Sequence, residues 1–318
     1  MDLIYTDAQR ADMGVLSAYA FDLSYGAEEN NFEMAIGRAE AVLESKAYIY
    51  IDGTEYGGIV DGIKTVTHDS SITYTGRTWH GIINSKVIEP NPGENYLAVS
   101  GDANDILAML VDRLGLSALF VADENSSGVS ISIYQFHRYC KGYDGIRAML
   151  AANGAKLKIS WHNRAVHLSA VPVVDYTKAP VDGDIATLSI EQNHTKVNHL
   201  VCLGRGELSE REVVHLYADD NGNIGDVQHF TGINEVADVY ENTNTEDLRS
   251  DGLKRFRELR DNDKAEMDLQ ESDSPLYDIG DIVGATDIET GVSVASAVTQ
   301  KIVRINNGAI STEYKTGS

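Results

Sequence analysis

Asp219, Asn221 and Asn223 carry oxygen-bearing side chains at the spacing of the first three ligands of a calcium-binding loop. An EF-hand loop also needs glycine at its sixth position, for a sharp turn, and a bidentate glutamate at its twelfth. Those positions hold Ile224 and Phe230 here. The segment therefore predicts a turn rich in glycine and asparagine, and no calcium site.

A second pattern is typical of phosphate binding, because Gly204, Gly206 and Ser209 follow a predicted strand at residues 197–203. A dinucleotide-binding loop has glycine or alanine at the third position and leads into a helix, whose N-terminus holds the phosphates. Residues 213–217 instead alternate like another strand. We predict a glycine-flanked hairpin and no nucleotide site.

The nine histidines do not form a zinc pattern. His162 and His167 are five residues apart, as are His194 and His199. This spacing predicts that the members of each pair lie on opposite faces of a strand. We therefore expect no metal.

Cys140 and Cys202 lie in apolar or aromatic runs, without the helix N-terminus or basic neighbours that would activate a thiol. They predict buried free thiols and exclude a disulfide framework. No G-x-S-x-G elbow occurs, and no pair among the 49 acidic residues is set apart for glycoside hydrolysis. The sequence therefore predicts no catalytic residue and no cofactor.

A basic and aromatic segment at residues 76–83 stands out within an acidic chain. It leaves two interpretations open: a contact surface, or Trp79 packed in the core beside a paired Arg77. Trp79 and Trp161 are also the only tryptophans that a carbohydrate-binding platform would have available.

The charge of the chain excludes several classes of partner. Its 318 residues contain 26 Lys and Arg against 49 Asp and Glu, a formal net charge of −23. This balance repels polyanions, so we expect neither sequence-specific nucleic-acid binding nor attachment to an anionic membrane. Between Arg205 and Thr290 there are 8 basic and 23 acidic residues. With 42% hydrophobic residues the chain can still bury sizeable cores.

The start of the chain is acidic and no run of about 18 apolar residues follows, so we expect no signal peptide and no membrane insertion. Short β-branched runs between glycine-containing turns predict many strands, interrupted by helices where the apolar period lengthens. The predicted elements are strands at 47–52, 59–67 and 71–79, a helix that begins near Asp102 and ends at Gly115, a helix at 143–152, a hairpin of 156–161 with 165–169, a helix at 245–259, and hairpin turns at 289–291 and 306–308.

Several segments resemble the tail hub proteins of siphoviruses and prophages, a family similar to the baseplate hub of contractile phages and the base of type VI secretion spikes. Together they span nearly the whole chain, and none is a catalytic motif. The segments are residues 22–26, 29–33, 76–83, 88–90, 197–208, 277–284 and 298–303.

The resemblance implies an α+β, β-rich fold with two small β-barrel domains and α+β inserts. We expect a first barrel domain at residues 1–98, completed by strands near 185–195, and an α+β insert at 99–184. A second barrel domain at 185–318 would carry a helical insert near 245–260.

The resemblance also implies a function: a homotrimeric ring at the distal tip of a phage, prophage or phage-like tail, assembled in the bacterial cytoplasm. Its expected partners are other copies of itself, the distal tail protein or tail tube, the tape measure protein, and a tip, spike or fibre protein. Longer relatives carry enzymes in a C-terminal region, whereas this chain ends after a predicted strand, so we expect no enzyme on this polypeptide. An acidic channel lining would let DNA pass without binding.

Two alternatives stay open at this stage. One is a cell-wall hydrolase of the tail tip that uses paired carboxylates on the acidic segment. The other is a carbohydrate-binding module that recognises the host.

Overall fold

The chain divides into two compact units, which are described separately. Unit 1 comprises Met1–Ser189 and Ala265–Gly317, and unit 2 comprises Ile190–Lys264. The structure, a computed structural model, describes residues 2–40, 42–177, 186–191, 195–243, 247–260, 264–269, 277–286, 291 and 293–317. The predicted turn at 289–291 lies mostly outside these residues.

Strands dominate both units, as the glycine-punctuated sequence predicts. In chain order they are β1 Leu3–Thr6, β2 Asp12–Leu16, β3 Tyr19–Gly26, β4 Asn31–Gly37, β5 Tyr48–Tyr50, β6 Gly57–Thr65, β7 Ser71–Thr78, β8 Val87–Ile88, β9 Ala98–Asp102, β10 Phe120–Ala122, β11 Ser130–Gln135, β12 Cys140–Lys141, β13 Ala155–His162, β14 Ala165–Pro172, β15 Ala186–Glu191, β16 His199–Leu203, β17 Val213–Ala218, β18 Ile224–Gly225, β19 Ala237–Glu241, β20 Lys264–Leu269, β21 Ile282–Thr286, β22 Ser293–Asn306 and β23 Ala309–Gly317.

The α-helices of the described residues are α1 Trp79–Asn84, α2 Ala103–Arg113, α3 Gly142–Ala151 and α4 Leu248–Arg260, with single 3₁₀ turns at Leu208–Glu210 and Gly232–Asn234. Helix α2 begins after Asp102, as the sequence predicts. The Asp102 carboxylate caps it by accepting a hydrogen bond from the Asn104 amide. Helices α3 and α4 also lie where the apolar spacing predicts them, although residues 244–246 at the predicted start of α4 are outside the described set.

Helix α1 is a correction, because the sequence predicted a strand that ran on through Trp79. The β-branched run ends at Thr78, whose hydroxyl accepts a hydrogen bond from the Gly81 amide and caps a short helix instead. A Cβ atom on Gly81 would lie 1.9 Å from the Asn30 carbonyl oxygen, so this turn requires glycine.

Unit 1 contains a 12-stranded sheet in the order β15-β20-β23-β22-β3-β4-β7-β6-β5-β1-β2, with β21 on β22. The β22–β23 hairpin turns at Asn307–Gly308, as predicted, and pairs Ile305 with Ile310. Among the described strands the sheet is open from β15 to β2, so the chain is β-rich as expected but the closed barrels are not confirmed.

The C-terminal strands belong to the sheet of the N-terminal segment. Strand β22 pairs antiparallel with β3, with Val303 opposite Leu23. The sequence predicts that residues 293–317 belong to a second domain that begins at residue 185. In the structure these residues belong to the compact unit 1. The three-domain division itself stays a prediction.

Unit 1 has two apolar cores. One lies under the 12-stranded sheet, where alternate residues such as Phe21, Leu23 and Met34 are buried. The other contains α2, α3 and the small sheet β10-β14-β13, packed around Trp79 and Trp161. The predicted α+β character of the middle segment is confirmed, including the hairpin β13–β14.

Unit 2 is a four-stranded sheet, β18-β17-β16-β19, with α4 on one face. Leu248 and Phe256 of the helix are buried against Cys202 and Leu216. The helix approaches so closely at Gly252 that a Cβ atom there would lie 2.4 Å from the Cys202 sulfur. No helix in the part of the chain that the structure describes has the length and apolar character of a membrane span.

Candidate functional site

Two buried lysines of unit 1 anchor a chain of ion pairs, which we call the buried ion network: Lys156, Lys301, Glu55, Asp278 and Asp281. Lys156 Nζ lies 2.8 and 2.7 Å from the two oxygens of Asp281 and 2.9 Å from Asp278 Oδ2. Lys301 Nζ lies 3.7 Å from Asp278 Oδ1 and 2.6 Å from Glu55 Oε1. Asp278 therefore links the two lysines.

The network joins distant parts of the chain. Lys156 lies on β13, Lys301 on β22, and Glu55 in the turn between β5 and β6. Asp278 and Asp281 lie in the loop before β21, where Asp281 also accepts hydrogen bonds from the backbone amides of Val174 and Asp278. Since an isolated buried charge is costly, each lysine fixes the position of the carboxylates around it.

The surroundings of Lys156, Lys301 and Asp278 keep these three side chains ionised. Nearby carboxylates, which outweigh the burial penalty, raise the pKa of Lys156. Glu55, with the tyrosines around Lys301, likewise raises the pKa of Lys301 despite desolvation. The cations of Lys301 and Lys156 lower the pKa of Asp278 against the effect of burial. Neither lysine is available as a nucleophile or proton donor near neutral pH.

Aromatic side chains enclose Lys301. Tyr25 donates its hydroxyl to Glu55 Oε1 at 2.6 Å, and burial raises the pKa of Tyr25 well above its usual value. The Lys301 ammonium lies 5.9 Å from the ring centroids of both Tyr25 and Tyr314, within cation–π range. His80 stacks on Tyr25 with ring centroids 4.4 Å apart.

His80 is buried and neutral. Its surroundings are apolar enough that desolvation lowers its pKa to about 4. Its Nδ1 atom has no hydrogen-bond partner, and the ring of Tyr143 packs edge-on at 5.0 Å. The imidazole therefore acts as a stacking ring beneath Tyr25.

The buried Trp79 and Trp161 stack in a column whose ends are Tyr48 and Tyr50. The ring centroids of the two tryptophans are 5.1 Å apart, and Tyr50 stacks on Trp161 at 4.5 Å. Arg77 pairs with Asp61 at 2.7 Å, and Arg77 and Lys46 together hold the pKa of Asp61 at about 2. Of the two interpretations of residues 76–83, the packed tryptophan beside a paired arginine is confirmed. The tryptophans offer no exposed platform for a sugar.

Four segments that carried the family resemblance meet at the buried ion network. Tyr25 lies in residues 22–26, His80 in 76–83, Asp278 and Asp281 in 277–284, and Lys301 in 298–303. These four segments thus help to hold the N-terminal and C-terminal strands of unit 1 together. The arrangement holds its lysines and carboxylates in fixed ion pairs.

The predicted turn at Asp219 is confirmed. Asp219 Oδ1 accepts hydrogen bonds from the backbone amides of Asn221 and Asn223, and Oδ2 accepts one from the Asn223 side chain. These bonds lower the pKa of Asp219. The carboxylate is therefore satisfied by its own turn.

The hairpin predicted at Gly204 is also confirmed. The Gly204 amide donates to the Glu212 carbonyl at 2.9 Å, and β17 follows where a dinucleotide loop would have a helix. Gly206 adopts φ +99°, and a Cβ atom there would lie 2.5 Å from the Glu210 carbonyl oxygen.

The prediction that His162 and His167 lie on opposite faces is wrong. Asn163 and Arg164 both have positive φ and form a two-residue turn between β13 and β14. Ser160 therefore pairs with His167, which puts both histidines on the same face with ring centroids 5.8 Å apart. His194, of the second pair, lies outside the described residues.

His199 makes a contact that the sequence did not indicate. Its Nδ1 lies 2.6 Å from Glu235 Oε1, its Nε2 lies 2.9 Å from His215 Nδ1, and it stacks on Tyr217. Strand pairing across 16 residues brings the two histidines together, and no local spacing could have revealed it.

Burial raises the thiol pKa of both cysteines, so neither is activated. Cys202 is buried, as predicted, whereas Cys140 is half-buried. Across the described residues, no three His, Cys, Asp or Glu side chains come together as metal ligands would.

Comparison with solved structures shows what this architecture resembles. The 43 kDa tail protein of prophage MuSo2 from Shewanella oneidensis has a TM-score of 0.60 and 11% identity, over 99% of this chain and 98% of that chain. Prophage tail protein gp18 from Listeria monocytogenes has a TM-score of 0.56 and 13% identity, over 100% and 95%. A chain of the phage P2 baseplate in its activated conformation with Ca has a TM-score of 0.52 and 10% identity, over 99% and 98%.

No protein-family model matches the sequence, and no curated protein matches it. The structural likeness nevertheless extends over essentially whole chains. The protein therefore has the fold of phage tail and baseplate proteins, and the resemblance drawn from the sequence is confirmed at the level of the fold.

Proposed function

We propose that this chain is a structural hub at the distal tip of a phage, prophage or phage-like tail, and that it is not an enzyme. The observation that carries the proposal is the likeness to three tail and baseplate chains over at least 95% of each of them and 99% of this chain. A shared role in assembly explains a likeness over whole chains better than a single shared site does.

The chemistry of the chain is consistent with a structural role. The buried ion network holds its charges in fixed pairs, and the tryptophans and cysteines are packed away from reactive settings. Such interiors stabilise a fixed shape, which a component of an assembled particle needs to present its surfaces to neighbours.

The finer features of the proposal come from the family resemblance. Three copies form a ring that contains two β-barrel domains per copy. The ring joins the tail tube or distal tail protein to a tip, spike or fibre, and surrounds the passage for the tape measure protein and DNA. Each copy carries a net charge of −23, so acidic side chains facing that passage would repel DNA and prevent it from binding.

Co-expression with the proteins encoded beside its gene tests the proposal. We expect the chain to co-purify with a distal tail or tube protein, and native mass spectrometry to give three copies per complex. A chain that stays monomeric in the presence of every neighbouring tail protein would contradict it.

The enzyme alternative has a separate test. Purified chain, alone and in the complex, is incubated with peptidoglycan, and soluble fragments are measured. We expect none above the level of a heat-denatured control. Release that a single Asp or Glu substitution abolishes would replace the hub proposal with a wall hydrolase.

A further inference from the structure

The two ends of the unit 2 sheet present surfaces of opposite shape. Strand β19 runs parallel to β16, with His199 opposite Ala237, so the loop that precedes β19 lies where β16 begins. The loop from Gly204 to Glu212 lies where β16 ends. The two loops are separated by the five residues of β16, or roughly 15 Å.

One end carries a projecting leucine. Leu208 is 94% exposed and adopts φ +50°, a left-handed conformation that a bulky side chain rarely takes. The loop around it is braced: the Glu212 amide donates to the Arg205 carbonyl, and Arg211 both donates to the Gly204 carbonyl and pairs with Glu241. A strained and firmly held loop that exposes a leucine indicates a contact made with another molecule. We call residues 205–210 the Leu208 loop.

The other end carries a cleft of about 480 Å³. Phe230, Ile233 and Val236 contribute apolar groups to it, and the Ile233 side chain is fully exposed at its edge. The buried Asn198 shapes the cleft, because its side chain donates to the Asn234 carbonyl and accepts from the Val236 amide. We call this surface the Ile233 cleft.

The charges of the two surfaces complement each other. Exposed Glu207 and Glu210 flank Leu208, and Lys196 and Arg260 line the cleft. The cleft also contains Asp219 and Asp220. Asp219 is engaged in its own turn, which leaves Asp220 to face a cation such as the exposed Arg205 of the loop.

We propose that the Leu208 loop of one copy inserts into the Ile233 cleft of a second copy of this chain. Because the two surfaces lie on different parts of the same chain, the contact is head-to-tail, and its repetition closes a ring when the rotation per copy allows. Leu208 is the apolar anchor and the glutamates set the register of the contact. The inference rests on the proposed self-assembly and specifies the surface that drives it.

Sedimentation of the full chain over a concentration series tests the contact. Leu208→Asp and Ile233→Asp should each weaken self-association at least tenfold. Val42→Asp is the matched control, because Val42 is 73% exposed in unit 1 and the variant adds the same negative charge. It should associate like the wild type. Circular dichroism of each variant checks that the fold is kept.

A mixture of the two variants provides the decisive test. Leu208→Asp retains an intact cleft and Ile233→Asp retains an intact loop, so the mixture should form a one-to-one heterodimer that neither variant forms alone. On denaturing gels, a double variant, Leu208→Cys with Ile233→Cys, should run as disulfide-linked oligomers after oxidation and as monomers after reduction.

Variants that associate like the wild type, or a mixture that forms no heterodimer, would overturn the contact while leaving the proposed hub ring intact. A wild type that stays monomeric at every concentration, with and without the neighbouring tail proteins, would overturn both.

Discussion

The buried ion network of unit 1 and the Arg249–Asp226 pair of unit 2 lie in different environments. In unit 1, Lys156 and Lys301 expose only 7% and 3% of their side chains and share the carboxylates of one connected network. In unit 2, the pair Arg249–Asp226 exposes 46% and 66%, and water competes for both partners. Buried pairs fix which strands meet, whereas exposed pairs are screened and add little to stability.

The difference fits the proposed division of labour. The buried ion network ties the N-terminal and C-terminal strands of unit 1 into one body. The Arg249–Asp226 pair of unit 2 remains at the surface, where water and neighbouring molecules can reach both partners. Four predictions test this contrast, from the largest expected effect to the smallest.

Lys156→Met should be the most destabilising single change. It leaves Asp281, which is fully buried, without its cation, and breaking a buried pair in this way costs about 3–5 kcal/mol. The measurement is the free energy of unfolding of the full chain in urea. The double variant Lys156→Met with Asp281→Asn should recover part of the loss. A loss below about 1 kcal/mol for the single variant would show that the network contributes little.

Phe256→Ala should destabilise unit 2 by about 3–4 kcal/mol, because its buried ring fills the space between α4 and the sheet. Tryptophan fluorescence reports unit 1, which contains both tryptophans, and far-ultraviolet circular dichroism reports both units. We expect the circular dichroism midpoint to fall more than the fluorescence midpoint. Equal shifts would show that the two units unfold together.

Acid should destabilise unit 1 through His80. Its pKa is lowered from 6.5 to about 4, so the folded state resists the proton that the unfolded state accepts. The free energy of unfolding therefore has its full His80 contribution above pH 6.5. It falls by about 3 kcal/mol as the pH drops from 6.5 to 4. His80→Phe keeps a ring against Tyr25 and should flatten this dependence. A variant with an unchanged pH profile would contradict the assignment to His80.

Arg249→Ala should have the smallest effect, because the pair that it removes lies in water. We expect its unfolding midpoint to match that of the wild type within error, at both low and high salt. A clear loss at low salt that disappears at high salt would mean that the surface charges of unit 2 also stabilise its fold.

Much of the local structure could be predicted from the sequence. The apolar period of α2, its Asp102 cap and the Asn307–Gly308 turn are local signals, and each is confirmed. Helix α1 was mispredicted because Thr78, which continues the β-branched pattern, also caps a helix. Where a residue fits two local patterns, tertiary contacts decide its secondary structure. Here the deciding contact is the close approach of Gly81 to Asn30.

The buried ion network and the histidine contact could not be predicted, because their partners are far apart along the chain. Lys301 and Glu55 are separated by 246 residues, and His199 and His215 meet only through the register of β16 and β17. The Leu208 loop was recognised as a glycine-flanked hairpin, but its exposure and backbone strain are properties of the folded chain alone.

The central claim, that the chain is a structural hub of a tail, is tested most directly by deleting its gene from the phage or prophage that carries it and imaging the particles by electron microscopy. We expect no complete tails, with assembly restored by the wild-type gene supplied in trans. Complete, infectious tails in the deletion strain would contradict the proposed function.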